Sequence, residues 1–345
     1  MADLLNLIIS RCRFLELEEK LLLRDVCGSS DAFSLLVKED LEMIIGRKLR
    51  IDENTVKKTV FEAVSAHKIL AAGHIKCLFF GEQDYPRLLS EIYNPPFALF
   101  CRGDVPDWSI PSAGVVGTRL ASGSGLDAAY RLGVDFAEAG VAVISGLAMG
   151  IDSAAHSGCC DAGGKTIAVL GCGVDRIYPA VNRKLAARIL KGGGAIVSEY
   201  LPGEEPRKHH FPERNRLISG LSYAVAVVDA PGKSGALITA DFALDQGREL
   251  FIHSAGLKAE GDRGRLEKMV FDGAPVIDNA LPVLNELGVS KAEKPRPDKT
   301  RDLTSGMAGR MMAEMLSDEL EGRSIKFNGN YIRRACYESS YSINS

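Results

Sequence analysis

Between about Ala113 and His253, six short apolar runs alternate with helical stretches, and most of the runs end in glycine and small polar residues. The runs are Gly114–Gly117, Val141–Ser145, Thr166–Gly171, Ala195–Ser198, Ala224–Asp229 and Glu249–His253. Helical patterns lie between them at Leu126–Glu138, Ser153–Ala162, Asn182–Leu190 and Leu237–Gln246. Near-continuous apolar strands joined by helices specify a mostly parallel sheet covered on both faces. The expected fold class is therefore α/β and doubly wound. A short strand at Ala274–Ile277 and a helix near Leu281–Leu287 would complete it.

In such a sheet, ligands sit beyond the carboxyl ends of the strands. Those ends carry Gly117-Thr118-Arg119 with Ser122, then Ser145-Gly146, Gly171-Cys172-Gly173, Ser198-Glu199 and Ser234-Gly235. Glycine admits a ligand close to the backbone, and a following helix N-terminus favours an anion. The pattern therefore points to a phosphate-bearing ligand. The glycine spacing matches neither the dinucleotide fingerprint nor a complete P-loop, because the glycine before Gly232-Lys233-Ser234 is missing.

Basic residues are expected at the same edge: Arg119, Lys165, the run Arg207-Lys208-His209-His210, and Arg214 and Arg216 around Asn215. Lys and Arg neutralise backbone phosphates, and Asn can bond a phosphate or a base edge. The chain as a whole carries only −3 over 345 residues, so any polyanion site must be a local patch. Asp152 and His156, four apart on a helix, could form an acid–base pair, but a capping carboxylate and a satisfied inner histidine are favoured. Glu199 is either a catalytic carboxylate or a partner for loop amides. Phe211 and Tyr178 are candidate base-stacking residues.

Residues 1–75 read as a helical accessory domain of four or five helices, with Gly28-Ser29-Ser30-Asp31 as a stop followed by a cap. Cys77–Phe80 and Phe97–Phe100 are short strands expected to tie that domain to the core at 76–288. A polar linker follows at 289–305. The segment 306–345 holds a helix near 307–320 and a hairpin around Asn328-Gly329. None of the eight cysteines forms a CxxC pair, and no Cys/His spacing suggests a metal, so a reducing cytoplasm is expected. No apolar run approaches the roughly 20 residues that span a bilayer. No small-residue cleavage site follows Leu4–Ile9, which argues against a secretory signal.

In order, the chain shows Gly117-Thr118-Arg119, Ser145 to Asp152 with His156, Gly164 to Leu170, Tyr178-Pro179, Ser198-Glu199, Phe211 to Arg216 and Ser234 to Ala240. Over about residues 82–275 this series resembles the DprA/Smf family, bacterial DNA-processing proteins of natural transformation. The resemblance implies an extended Rossmann-like fold with a SAM-like helical N-terminal domain. It also implies single-stranded DNA binding, loading of RecA recombinase onto strands covered by single-strand-binding protein, and a homodimer. No cofactor and no catalysis are implied. Carried over, Arg119 and Lys165 match basic DNA-contacting positions. Gly117, Thr118, Ser122, Ser145, Gly146, Ser198, Arg214, Asn215, Arg216, Ser234 and Gly235 match the motifs of the same pocket. Two stretches depart from the family. After Ile252 stands His253-Ser254-Ala255-Gly256 where the family carries Pro-Gly, and the C-terminus resembles only part of a winged helix. An alternative is a nucleotide phosphoribohydrolase, whose PGGxGT turn and helix glutamate become Pro231–Ala236 and Asp241 here.

Overall fold

The computed structural model describes residues 3–232, 234–259, 261–289, 324–327 and 330–333. Met1–Ala292 form one compact unit and Glu293–Ser345 a second.

The first unit opens with five helices: α1 (Leu4–Arg11), α2 (Leu17–Cys27), α3 (Ser30–Ser34), α4 (Lys38–Ile45) and α5 (Thr55–Gly73). Their ends follow the local signals. Asp3 caps α1, Gly28 closes α2 at φ 63°, and Ser29 caps α3 by accepting from the Ala32 amide. The expected stop and cap at 28–31 are therefore both present.

The core follows as β1 (Ile75–Phe79), α6 (Arg87–Ser90), β2 (Ala98–Gly103), β3 (Ser112–Val116), α7 (Gly123–Glu138), β4 (Ala142–Ser145) and α8 (Ile151–Asp161). Next come β5 (Thr166–Val169), α9 (Arg183–Lys191), β6 (Ala195–Ser198), α10 (His210–Gly220), β7 (Ala224–Val227), α11 (Gly235–Asp245) and β8 (Glu249–His253). The unit closes with α12 (Ser254–Lys258), α13 (Gly264–Phe271), β9 (Val276–Ile277) and α14 (Leu281–Glu286). The nine strands form one sheet in the order β1-β2-β6-β5-β4-β3-β7-β8-β9. From β6 to β9 all pairs are parallel. The α/β, mostly parallel expectation holds. The two tie strands do more than connect: β1 and β2 add an antiparallel extension to the edge at β6.

Alternate residues of a strand face opposite sides of the sheet. Phe100, Ala168 and Ile196 join one core together with Leu7, Ile8, Phe33 and Leu70 of the helical segment. Their neighbours Leu99, Cys101, Ile167, Val169 and Val197 join the other, with Leu217, Leu237 and Leu266. The N-terminal helices thus cover one face of the sheet and share its core. The seven described cysteines are free, and burial pushes the thiols of Cys12, Cys77 and Cys101 up to about 12, which makes them poor nucleophiles. Among the described residues no helix is long and apolar enough to cross a membrane.

In the second unit, β10 (Ser324–Phe327) pairs antiparallel with β11 (Asn330–Arg333), as the Asn-Gly signal predicts. The expected helix at 307–320 and the linker beyond residue 289 lie outside the described residues.

Helices α7 and α8 touch backbone to backbone through two glycines. A Cβ on Gly158 would lie 2.0 Å from the Tyr130 carbonyl oxygen, and one on Gly133 would lie 2.2 Å from that of Ala155. Backbone cannot yield as a side-chain tip can. We therefore expect Gly158→Ala to cost about 2 kcal/mol, within the usual overpacking range. Urea unfolding of the two proteins measures this, and unchanged stability would refute the close approach.

Candidate nucleic-acid cleft

Helix α7 leads from β3 to β4 on one side, whereas α10 returns the chain to β7 on the other side of β3. The order therefore reverses between β3 and β7, the point where open α/β sheets bind ligands. A cleft of about 600 Å³ lies there. Its wall takes Gly117, Thr118 and Arg119 from the end of β3, Ala148 from the turn after β4 and Asp152 from the first turn of α8. Tyr178 comes from the loop after β5. Lys208, Phe211, Arg214 and Asn215 come from α10 and its approach, and Ser234 and Gly235 from the start of α11.

Three helices begin at this edge. Ser122 caps α7 by accepting from the Gly125 amide at 3.1 Å, and Ser234 caps α11 by accepting from Ala236. The turn into α8 is tighter. Leu147 adopts φ 55°, a region L-residues rarely occupy, and Asn182 Nδ2 donates to its carbonyl at 2.8 Å. Asp152 accepts from the amides of Gly146 (3.1 Å) and Ala148 (3.3 Å), tying the turn back onto α8.

The floor is Arg214. It is buried, and its Nη1 donates to the carbonyls of Gly146 (2.9 Å) and Val169. Its Nε donates to Asn215 Oδ1 at 3.2 Å, and Asn215 Nδ2 donates to the Gly235 carbonyl at 3.0 Å. A Cβ at Gly146 would lie 2.6 Å from the guanidinium, so a larger residue there would displace Arg214 from its carbonyl partners. Burial holds the Asp152 carboxyl above its ordinary range, opposed first by the positive charge of Arg214.

The rim differs. Arg119 and Lys208 are exposed, and neither forms an ion pair among the described residues. The Arg119 guanidinium lies over the Phe211 ring, 5.6 Å from its centroid, and Phe211 packs 5.4 Å from Tyr178. Two exposed cations therefore share the cleft with an aromatic pair, one of them stacked on Phe211.

Several expected site residues fall elsewhere. Lys165 precedes β5, which puts it at the amino end of a parallel strand, beside Asp107 and Trp108. It does not share the edge of Arg119. Arg216 pairs with Glu199 at 2.5 Å, on the face of α10 turned toward α1 and α2. This answers the question of Glu199: it holds an arginine, not loop amides. Ser145 and Ser198 are wholly buried, donating to the carbonyls of Val115 (2.6 Å) and Leu170 (3.1 Å). Arg214 and Asn215 reach the cleft, but as floor and brace rather than as open contacts. Lys208 was noted in sequence only as part of a basic run. Asp241 is held by Arg265 through both carboxylate oxygens, so it does not stand as the helix glutamate of a hydrolase. Where the family carries Pro-Gly, His253 caps α12, its Nδ1 accepting from Ala255 at 3.1 Å.

The fold and cleft have known counterparts. A family model described as DNA recombination-mediator protein A matches residues 76–288. Protein Smf of Synechocystis sp. is 42% identical over 211 residues, covering 60% of this chain and 52% of that protein. The X-ray structure of DNA processing protein A from Streptococcus pneumoniae superposes with a TM-score of 0.67 at 32% identity, over 81% of this chain and 97% of that one. A structure of DNA processing protein A from Helicobacter pylori, described for its single-stranded DNA binding mode, gives 0.55 at 29%, over 62% and 95%.

Asp152 and His156 do not act as a pair. The Thr166 hydroxyl donates to the Val143 carbonyl at 2.8 Å, so it accepts from His156 Nδ1 at 2.6 Å. Burial lowers the imidazole to about 3 from 6.5. A neutral, buried histidine stabilises the fold fully above about pH 6.5. That contribution fades as pH falls toward about 3, because the unfolded chain takes up the proton first. At about 1.4 kcal/mol per pH unit, the loss reaches a few kcal/mol. Urea unfolding at pH 7 and pH 4.5 should show His156→Gln losing less stability on acidification than the parent. Equal losses would remove His156 from the acid response.

Proposed function

The chain belongs to the DNA recombination-mediator protein A family, and we propose that it binds single-stranded DNA along the β3–β7 cleft. The observation that carries this reading is the rim: exposed Arg119 and Lys208, in no ion pair among the described residues, line one cleft with the Phe211–Tyr178 aromatic pair, at an edge where three helices begin. Cations neutralise backbone phosphates, aromatic faces stack bases without regard to sequence, and helix N-termini favour anions. Lys165, at the opposite end of the strands, takes no part in this cleft.

In this reading the protein is a non-catalytic mediator in the cytoplasm. It forms a homodimer and helps load RecA recombinase onto strands covered by single-strand-binding protein. The resemblance to the DprA/Smf family supports these finer roles.

Oligonucleotide binding across a salt series tests the cleft. Each neutralised phosphate contributes about 0.7 to the slope of log K against log salt. Arg119→Ala with Lys208→Ala should lower the slope by about 1.4 on that scale. Lys165→Ala should leave both affinity and slope unchanged. Phe211→Ala should weaken binding by about 1–3 kcal/mol with the slope intact. A Lys165 effect as large as that of Arg119 would move the strand to another surface. The loading role is tested with RecA on oligonucleotides covered by single-strand-binding protein. The parent should shorten the lag in filament formation, and the Arg119/Lys208 double variant should not.

A further inference from the structure

Behind the rim lies an ion pair that joins both anion-facing turns to the start of α13. Asp229, at the end of β7, is almost fully buried. Its backbone carbonyl accepts from the Thr118 amide at 2.6 Å. Its Oδ2 accepts from the Ser122 amide at 3.3 Å and faces the Ser122 hydroxyl at 3.4 Å. One aspartate thus fastens both ends of the turn that carries Arg119. Its other oxygen, Oδ1, accepts from Arg263 Nη1 at 2.8 Å. Arg263 is itself buried at the start of α13, and its Nε donates to the Ala259 carbonyl. The adjacent Asp262 carbonyl accepts from the Gly232 amide at 3.0 Å, holding the turn before Ser234 as well. The fit is tight: a Cβ on Gly117 would lie 2.8 Å from the Asp229 carbonyl oxygen, and one on Gly256 would lie 2.4 Å from that of Val228.

We propose that Arg263 and Asp229 are positioning residues for nucleic-acid binding. Together they fix the Thr118–Ser122 turn, and Arg263 cancels a carboxylate that would otherwise repel phosphate from behind that turn. The proposal rests on the single-stranded DNA reading of the cleft. A charge left unpaired in a buried site is costly, so removing one partner does more harm than removing both.

The test uses the full chain, a poly-dT oligonucleotide and amide exchange. Arg263→Gln should speed exchange of the Thr118 and Ser122 amides about tenfold relative to strand β4. It should weaken oligonucleotide binding by a similar factor with the salt slope unchanged, because Arg263 itself touches no phosphate. Asp229→Asn with Arg263→Gln should return affinity to within about threefold of the parent, since neither charge is then unpaired. A slope lowered by about 0.7 would make Arg263 a direct contact and overturn the proposal. So would parent-like exchange and affinity in Arg263→Gln, or a double variant no better than the single. If Arg263→Gln does not fold, the double variant decides: parent-like binding supports the proposal, and folding without binding, or failure to fold, overturns it. A parent that binds no oligonucleotide removes the DNA reading instead, and the exchange rates then judge the brace by themselves.

Discussion

A guanidinium out of reach of water must find all its partners in the protein, and the cleft is organised around that requirement at Arg214. Its charge stands against buried Asp152, and its N–H groups reach the carbonyls of Gly146 and Val169 and the Asn215 side chain. Those partners sit on the turn after β4, at the end of β5 and on α10 itself, so one side chain locks three elements. Asn215 passes the constraint on to Gly235 at the head of α11. The absence of a Cβ at 146 leaves room for the guanidinium. Breaking a buried pair by removing one partner typically costs 3–5 kcal/mol. Arg214 is therefore a poor probe of ligand contact, since its loss would disturb the whole floor. Arg119, exposed and bonded to nothing buried, is the informative one.

The fold was largely legible because hydrophobic periodicity is a local signal. The six core strands and the helices between β3 and β6 lie within a few residues of their apolar runs. Helix α10 is not legible in the sequence, since Pro212 and the charged run Glu213-Arg214-Asn215-Arg216 interrupt its apolar pattern. Proline is tolerated in a first helical turn, where its missing N–H has no partner to lose. That omission explains most of what went astray in the site. Read as a loop, Arg214-Asn215-Arg216 could present all three side chains to one groove. On a helix, successive residues turn by about 100°. Arg214 then points into the floor, Asn215 toward α11, and Arg216 away to Glu199.

Lys165 was misplaced for a simpler reason. Adjacency to a strand is not adjacency to the ligand edge, because in a parallel sheet only the residues after each strand gather there. The buried serines show the reverse error. Ser145 and Ser198 do stand at carboxyl ends, yet their hydroxyls are used up on neighbouring strand carbonyls. Neither the direction of a side chain nor the number of its bonds can be read from spacing. The Asp229–Arg263 pair was invisible for a further reason, since its members lie 34 positions apart and no motif links them.

The distribution of charge also bears on what kind of anion the cleft suits. Its deep charges are opposed within the fold: Arg263 pairs with Asp229 at 2.8 Å, and the charge of Arg214 stands against Asp152. A mononucleotide phosphate needs many donors converging on one point, as a P-loop supplies. Here the uncommitted charge is divided between Arg119, over the Phe211 ring, and Lys208, both lining the same cleft. A polymer presents a phosphate at every residue and a flat base beside it, so it can meet separated cations and a stacking face at once. A chain with an overall charge of −3 can hold such a polymer only where its acidic groups are neutralised within the fold. The buried Arg263–Asp229 ion pair provides that condition behind the rim.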